Sequence, residues 1–423
     1  MKEKTILYLN VRQTVHEAKS ALLAAKRIGY HILLLSDKPQ PILDNYVDHV
    51  EVTDTYDINK SLDVVHQLQK KFPFDGVVTW GDRDVELMAA ISERYNLPGP
   101  SILSAKNARN KYRMREALKE LKDLLPKYHR VTDVNSLEAA IQYVGFPAVI
   151  KPTGASGSKG IFEVRDVGEA KKSFSLLREI TNPNQDKIFS YSGSELIFEE
   201  YLDGNEFSVE GLVCNNEIII VGITDKETTQ DYHIEFQHIF PSSQNEERQK
   251  IIIKNTKIIV EKLNLNNCAF HLEAKWTSNG FKLVEIAARI GGDYITSHLI
   301  PLATNINFYE QLLKIIAGDE PKLNVSYVQH VGMRSLLAKN SGKLVSISEI
   351  NTALINPNIL HIFQEQPFHK MLTLPPNNFS LLRVATLIAQ GYSHKNVLET
   401  LTSLSNHCQV ITENNIPAEL NIC

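Results

Sequence analysis

Apolar residues come in short runs over the first hundred positions, and the runs alternate between two periods. Residues 5–9 (TILYL) form a continuous short run, as in a strand buried on both faces. Val15, Ala18, Leu22, Ala25 and Ile28 then recur at helical spacing, and Gly29 follows as a stop. HILLLSD (31–37) predicts a second strand, a charged segment near 58–71 a helix, and GVVTW (76–80) a third strand. Strands and helices in alternation, with short apolar strands, predict a parallel sheet covered by helices. NLPGPS (96–101) interrupts the pattern and marks a boundary.

Beyond it, NARNKYRMREALKEL (107–121) predicts one basic helix. Pro126 opens a compact α/β stretch to about 190, closed by an Asn-, Ser- and Gln-rich segment, 181–194. SELIFEEYL and the strand-like runs EFSVEGLVC, EIIIVGIT, CAFHLEAKW and FKLVEIAA follow. Pro301 predicts a break, and a helix over 307–317 leads to PKLNV. The last hundred residues read as mixed strands with one good helix near 394–404. No internal repeat, coiled coil or low-complexity tract is visible.

A chain of 423 residues is too long for one ordinary core, so two to four domains are expected. Hydrophobic content of 43% and charged content of 22% are ordinary for a soluble globular protein. A net charge of −4 argues against general nucleic-acid or anionic-membrane binding. Cys214, Cys268, Cys408 and Cys423 are scattered without a CxxC, which argues against a disulfide framework or a zinc site and fits a reducing cytoplasm. MKEKTILYLN reads as a first strand rather than a signal peptide, and no stretch reaches the length of a membrane span.

Three segments carry candidate chemistry. The first is Lys151-Pro-Thr-Gly-Ala-Ser-Gly-Ser-Lys-Gly160. Gly154, Gly157 and Gly160 remove Cβ atoms and let amides approach an anion, while Lys151 and Lys159 add positive charge. It is not a P-loop, because Gly160 follows Lys159 where Ser or Thr is required. Alone, such a loop is a solvated turn more often than a phosphate site.

The second is HLEAKWTSNGFKLVEIAARIGG (271–292), two strand-like runs around a hairpin turn. A three-residue loop, Ser278-Asn279-Gly280, pairs Thr277 with Phe281, Lys275 with Leu283, Glu273 with Glu285, His271 with Ala287 and Ala269 with Arg289. Glu273, Glu285, His271 and Arg289 then share one face. Two carboxylates directly opposite would have Cβ atoms about 5 Å apart, a repulsion that needs an offset. A hard divalent cation supplies one. Counter-ions from Lys275 and Lys282 would supply it in a purely structural pair. The third segment is IFEEYLDGNEFSVEG (197–211), which alone is an acidic strand connection.

Taken together and in order, these pieces resemble the ATP-grasp superfamily of carboxylate–amine ligases, with L-amino acid ligases, which make dipeptides, as the nearest kind. The resemblance rests on Lys111 in ARNKYRMRE, GFPAVIKP ending at Lys151, the loop 153–160, EEYLDGNE, and Glu273 and Glu285 with Arg289-Ile-Gly-Gly. It covers most of the chain, 325–423 included. It implies an α/β protein with an N-terminal parallel domain (1–105), an ATP-grasp domain (106–320) containing a lid subdomain (about 122–192) and a central antiparallel sheet, and a C-terminal α+β domain (321–423).

The resemblance also implies roles. Lys111 and Lys151 would contact ATP phosphates, and Ser156, Gly157, Ser158, Lys159 and Gly160 would close over them. Glu199, Glu200, Tyr201 and Leu202 would line the adenine, with backbone groups of Glu199 and Leu202 at its edge, and Glu206 would take the ribose. Glu273 and Glu285 would hold Mg²⁺ or Mn²⁺; Arg289 and the amides of Gly291 and Gly292 would face an acyl phosphate. Many relatives of this kind place an Asn two residues after the second glutamate as a third metal ligand, and here that residue is Ala287. Water would fill the gap, with His271 and His238 as substrate contacts and as the two candidates for the base that deprotonates the amine. Expected partners are a small carboxylate and an amine, both amino acids, with no nucleic acid or membrane, acting in a cytoplasmic homodimer. Rival readings are a ligase like glycinamide ribonucleotide synthetase, a biotin-carboxylase-like enzyme, or a nucleotide-binding regulator without turnover.

Overall fold

The computed structural model describes residues 3–40, 45–184, 186–190, 195–375, 378 and 381–415; Cys423, and residues 185 and 191–194 of the segment 181–194, lie outside them. Strands β1 (Thr5–Leu9), β2 (His31–Ser36), β3 (His49–Val52) and β4 (Gly76–Thr79) form a parallel sheet in the order β3-β2-β1-β4. Ile6 to Leu9 and Ile32 to Leu35 are buried along their whole length, so these runs are apolar without alternation. The helices Val15–Arg27 and Ile58–Lys71 lie where periodicity puts them.

Residues 107–121 do not form one helix. The helix Ile102–Arg109 ends at Asn110, whose side chain accepts from the Arg113 N–H and starts a second helix, Lys111–Ala117. Asparagine is a strong N-cap because its oxygen satisfies an otherwise unpaired amide. Asn110 also donates to Thr153 and Glu195, so the break ties Lys111 to the strand that carries Lys151.

A second, antiparallel sheet comprises β5 (Tyr128–Val131), β6 (Ala148–Pro152), β7 (Phe162–Val164) and β8 (Leu196–Glu200), in the order β5-β8-β6-β7. Leu137, Ala140, Ala170 and Leu177 from two helices bury against Ile150 and Phe198. The small sheet runs past 192 to Glu200, because β8 inserts between β5 and β6.

The third sheet has eight antiparallel strands. They are β9 (Asn205–Cys214), β10 (Glu217–Thr228), β11 (Glu235–Phe240), β12 (Cys268–Thr277), β13 (Gly280–Ala287), β14 (His330–Leu337), β16 (Ile359–Gln364) and β18 (Arg383–Gly391). Their order is β13-β12-β9-β10-β11-β14-β18-β16. The remaining strands, β15 (Gly342–Ile347), β17 (Met371–Leu372) and β19 (Val410–Thr412), make a small separate ladder. Three strands from beyond residue 321 therefore continue the central sheet, and Ile239 shares a core with Val384, Leu387 and Leu401. Pro301 is not a break: it sits in the first turn of the helix Ile300–Thr304, where its missing N–H leaves nothing unpaired.

The β12–β13 hairpin corrects the turn and keeps the outcome. Thr277 pairs with Gly280, so the loop has two residues, and Lys275 faces Lys282 rather than Leu283. That register alone would set Glu273 opposite Val284 and turn Glu285 to the other face. A bulge at Val284 shifts the ladder by one residue and returns Glu273 to Glu285 and His271 to Ala287. The Val284 carbonyl, released from the ladder, accepts from Arg115 Nη2 at 2.7 Å. The paired ladder stops at Ala287, so Ala269 and Arg289 are not partners.

Candidate active site

Residues of the second and third sheets, with Arg12, Gly81 and Asp82 from the segments that follow β1 and β4, line one cleft of about 360 Å³. Of the residues singled out in the sequence, it takes in Lys111, Lys151, Ser156, Gly157, Ser158, Lys159, Glu199, Glu200, Tyr201, Leu202, Glu206, His271, Glu273, Glu285, Arg289 and Gly292. Gly160 and His238 are not on its wall. At Gly160 a Cβ would lie 2.9 Å from Leu177 and 3.3 Å from Pro152, so this glycine serves close packing and a positive φ of 76°. His238 is fully buried behind Glu235 and Asp293, with Nε2 at 3.3 Å and 3.5 Å from their carboxylates.

The cleft is a chain of ion pairs. Lys111 Nζ lies 2.6 Å from Glu285 and donates to the Ala155 carbonyl at 2.9 Å. Lys151 Nζ lies 2.7 Å from Glu199, whose other oxygen accepts from Arg115 at 2.7 Å. Burial opposes ionisation of Glu199, but Arg115 and Lys151 outweigh it and hold the carboxyl down at about 2. Glu199 thus acts through its side chain, as a counter-ion that orients Lys151, a role that the expected backbone contact did not include.

The loop after β6 is fixed from several sides. Arg109 donates to the Gly154 carbonyl, Ser158 Oγ to the His233 carbonyl at 2.9 Å, and Lys159 pairs with Asp186 at 2.6 Å. Gly157, at φ 70°, has no neighbour within 4 Å of a built Cβ.

Glu273 and Glu285 stand opposite each other, as the chemistry of a divalent site requires, but their counter-ions are neither Lys275 nor Lys282. Lys282 donates to the Leu125 carbonyl, and Lys275 sits over the Tyr201 ring. Lys226, without exposed side-chain surface, lies 2.7 Å from Glu273, 2.8 Å from Glu235 and 3.3 Å from Glu206. Its ammonium therefore already fills the cluster of Glu206, Glu235 and Glu273, whose ligand atoms lie within 4.8 Å of one another. Glu285 belongs to no such cluster among the described residues, in keeping with alanine at 287. Two hard oxygen donors on one cleft wall fit Mg²⁺ or Mn²⁺ with the remaining positions left to water and phosphate.

His271 has no ring nitrogen free for substrate. Nδ1 lies 2.5 Å from Glu210 and Nε2 3.0 Å from Glu273. Burial disfavours the cation, yet the two carboxylates raise its pKa to about 9. An imidazolium held this way orients Glu273. Beneath it, the glycines of 291–292 have packing reasons: a Cβ at Gly291 would meet Glu210 Oε2 at 2.7 Å, and one at Gly292 would meet Arg12 Nη1 at 2.8 Å.

Arg289 pairs with Asp82 through two hydrogen bonds, Nε at 3.0 Å and Nη2 at 2.8 Å, and this holds the Asp82 carboxyl well below its ordinary range against the cost of burial. Asp82, Arg12, Arg115, Lys226, Glu235 and Asp293 were missed in the sequence. Arg12 and Asp82 carried one usable signal: they follow β1 and β4 at the carboxyl ends of parallel strands, where ligands meet such sheets. Arg115 lies within ARNKYRMRE and Asp293 directly after Arg289-Ile-Gly-Gly, so their neighbours carried a signal that they did not, while Lys226 and Glu235 lie on strands with no motif around them.

The chain matches the ATP-grasp domain family over residues 144–297 and the ATP-grasp N-terminal domain family over residues 22–99. It is 32% identical over 247 residues to an alanine–anticapsin ligase of Bacillus subtilis, covering 54% of this chain and 52% of that protein. It is 27% identical over 308 residues to an L-arginine-specific L-amino acid ligase of Bacillus subtilis, covering 71% and 72%. The alanine–anticapsin match thus spans only about half of that relative's length. The crystal structure of an L-amino acid ligase from Bacillus licheniformis superposes with a TM-score of 0.86 at 21% identity, over 98% of this chain and 100% of that one, a likeness of fold.

Proposed function

We propose, from its ATP-grasp domain and ATP-grasp N-terminal domain, that this chain is an ATP-dependent ligase that joins two amino acids through an acyl phosphate, as an L-amino acid ligase. The observation that carries this reading is the cleft wall on which Glu273 and Glu285 oppose each other between Lys111, Lys226 and Arg289. ATP lies with its adenine along Glu200 to Leu202, its ribose at Glu206 and its phosphates at Lys111, Lys151 and the loop 153–160. Glu273 and Glu285 would hold Mg²⁺ or Mn²⁺, which would supply positive charge to the phosphates.

The acid's carboxylate attacks the γ-phosphorus, giving ADP and an acyl phosphate. Phosphoryl transfer of this kind needs position and charge more than covalent help, and Lys111, Lys151 and the loop amides provide both. An amine then attacks the acyl carbon and phosphate leaves, while Arg289 faces the developing oxyanion. Closure of the loop keeps water from the acyl phosphate.

The residues support a protein of the reducing cytoplasm that acts on free small molecules rather than on nucleic acid or membranes. No described helix is long and apolar enough to cross a membrane. A homodimer rests on the family resemblance, and sedimentation velocity tests it. The function is tested by screening amino-acid pairs for phosphate release and for the dipeptide mass. Steady release of ADP and phosphate that needs both substrates is expected; AMP and pyrophosphate would sink the acyl-phosphate reading.

A further inference from the structure

We propose that Arg12 is the specificity residue for the free carboxylate of the incoming amine substrate, so that the acceptor is an amino acid rather than a simple amine or an amide. This rests on the ligase reading above. Arg12 stands in the loop after β1 and lines the cleft together with Arg289 and Gly292.

Among the cations of that wall, five have a carboxylate within 2.8 Å: Lys111 at 2.6 Å, Arg115 at 2.7 Å, Lys151 at 2.7 Å, Lys159 at 2.6 Å and Arg289 at 2.8 Å. Arg12 does not. Its nearest carboxylate, Glu17, is 3.9 Å away, and Glu17 is itself pushed by burial toward its neutral form. Lys275 also has its carboxylate at 3.9 Å, but it lies at the other end of the cleft, over Tyr201 and beside Glu206. Arg12 Nε is buried without a hydrogen-bond partner, while Nη2 is held by the Ile290 and Gly291 carbonyls at 3.2 Å each. Gly292 leaves the room in which Nη1 reaches the wall, since a Cβ there would come within 2.8 Å of it.

A guanidinium whose one ion pair is long, at 3.9 Å to Glu17, and whose Nη2 is held by neutral carbonyls, one of them shared with Arg289, has charge and donors to spare for a planar anion. The donor's carboxylate is consumed at the Arg289 end, whereas the acceptor's carboxylate survives the reaction and needs a partner of its own.

The test compares, as acceptors, one amino acid and its C-terminal amide, each with the same donor and Mg-ATP. The wild type should favour the acid at least tenfold in kcat/KM, and Arg12→Gln should reduce that preference tenfold or more, mostly through the acceptor KM. Arg12→Lys should keep part of it. An arginine that only tied the loop at 290–291 would, on replacement, slow both acceptors alike, and that result overturns the proposal. Should Arg12→Gln fail to fold, the wild type decides: an amide used as well as its acid refutes the assignment. Wild-type protein that forms no product with either acceptor, while no donor elicits ADP, refutes the ligase reading instead.

Discussion

Lys226 Nζ and Glu273 Oε1 lie 2.7 Å apart, and the lysine has no exposed side-chain surface. The same ammonium contacts Glu206 and Glu235, so one buried cation neutralises three carboxylates between the proposed ribose and metal positions. Breaking a buried pair by removing one member costs about 3–5 kcal/mol, because the partner charge stays behind. Lys226→Met should therefore destabilise the protein by about that much in urea unfolding. A loss below about 1 kcal/mol would mean that the carboxylates do not depend on it.

Glu285 has a different surrounding. Its partner Lys111 is nearly buried, and the bulge at Val284 sets it opposite Glu273. Relief of carboxylate repulsion is not expected from Glu285→Gln, since Lys111 and Lys226 already offset both charges. The variant should lose ATP-dependent turnover by two orders of magnitude or more and lose Mn²⁺ binding in the presence of ATP, read by electron paramagnetic resonance. Stability should change by roughly 1 kcal/mol. Normal turnover with intact Mn²⁺ binding would end the metal assignment.

The Glu199 carboxyl is lowered from its ordinary value of 4.5 to about 2. A group with a depressed folded-state pKa contributes stability above its unfolded value and loses it as pH falls through the folded value. The contribution of Glu199 should thus be complete above pH 4.5 and fade toward pH 2, amounting to about 3 kcal/mol. Urea unfolding of the wild type and Glu199→Gln between pH 3 and 7 checks this. Their difference should shrink as pH falls, and a constant difference would contradict the pairing.

Gly157 is unopposed in space, while the loop around it is held through Ser158 and Lys159. Protease nicking within 153–160 should slow several-fold with Mg-ATP and not with ATP plus chelator. Equal rates in all three conditions would make the segment an ordinary surface turn.

The sequence by itself determined what depends on neighbours along the chain. Strand burial at 5–9 and 31–36, the helix at 58–71 and the hairpin across 268–287 follow from apolar period and turn chemistry, which act over a few residues. The glycine-serine loop and the order of charged motifs were legible for the same reason, and with them most of the cleft wall. The break at Asn110 was locally written too, but a basic helical pattern running through it concealed the cap.

Tertiary structure decided the rest, because Coulomb forces and packing couple residues without regard to their separation in sequence. A hairpin loop one residue shorter than expected would have turned Glu285 from Glu273, and only the bulge at Val284, its carbonyl taken by Arg115, restores the shared face. The counter-ions of Glu273 and Glu285 come from Lys226 and Lys111 rather than from lysines of the hairpin itself. His271, legible as a residue near substrate, is committed to Glu210 and Glu273 by contacts that no spacing encodes. Arg12 reaches the wall only because a chain 280 residues away places a glycine beside it.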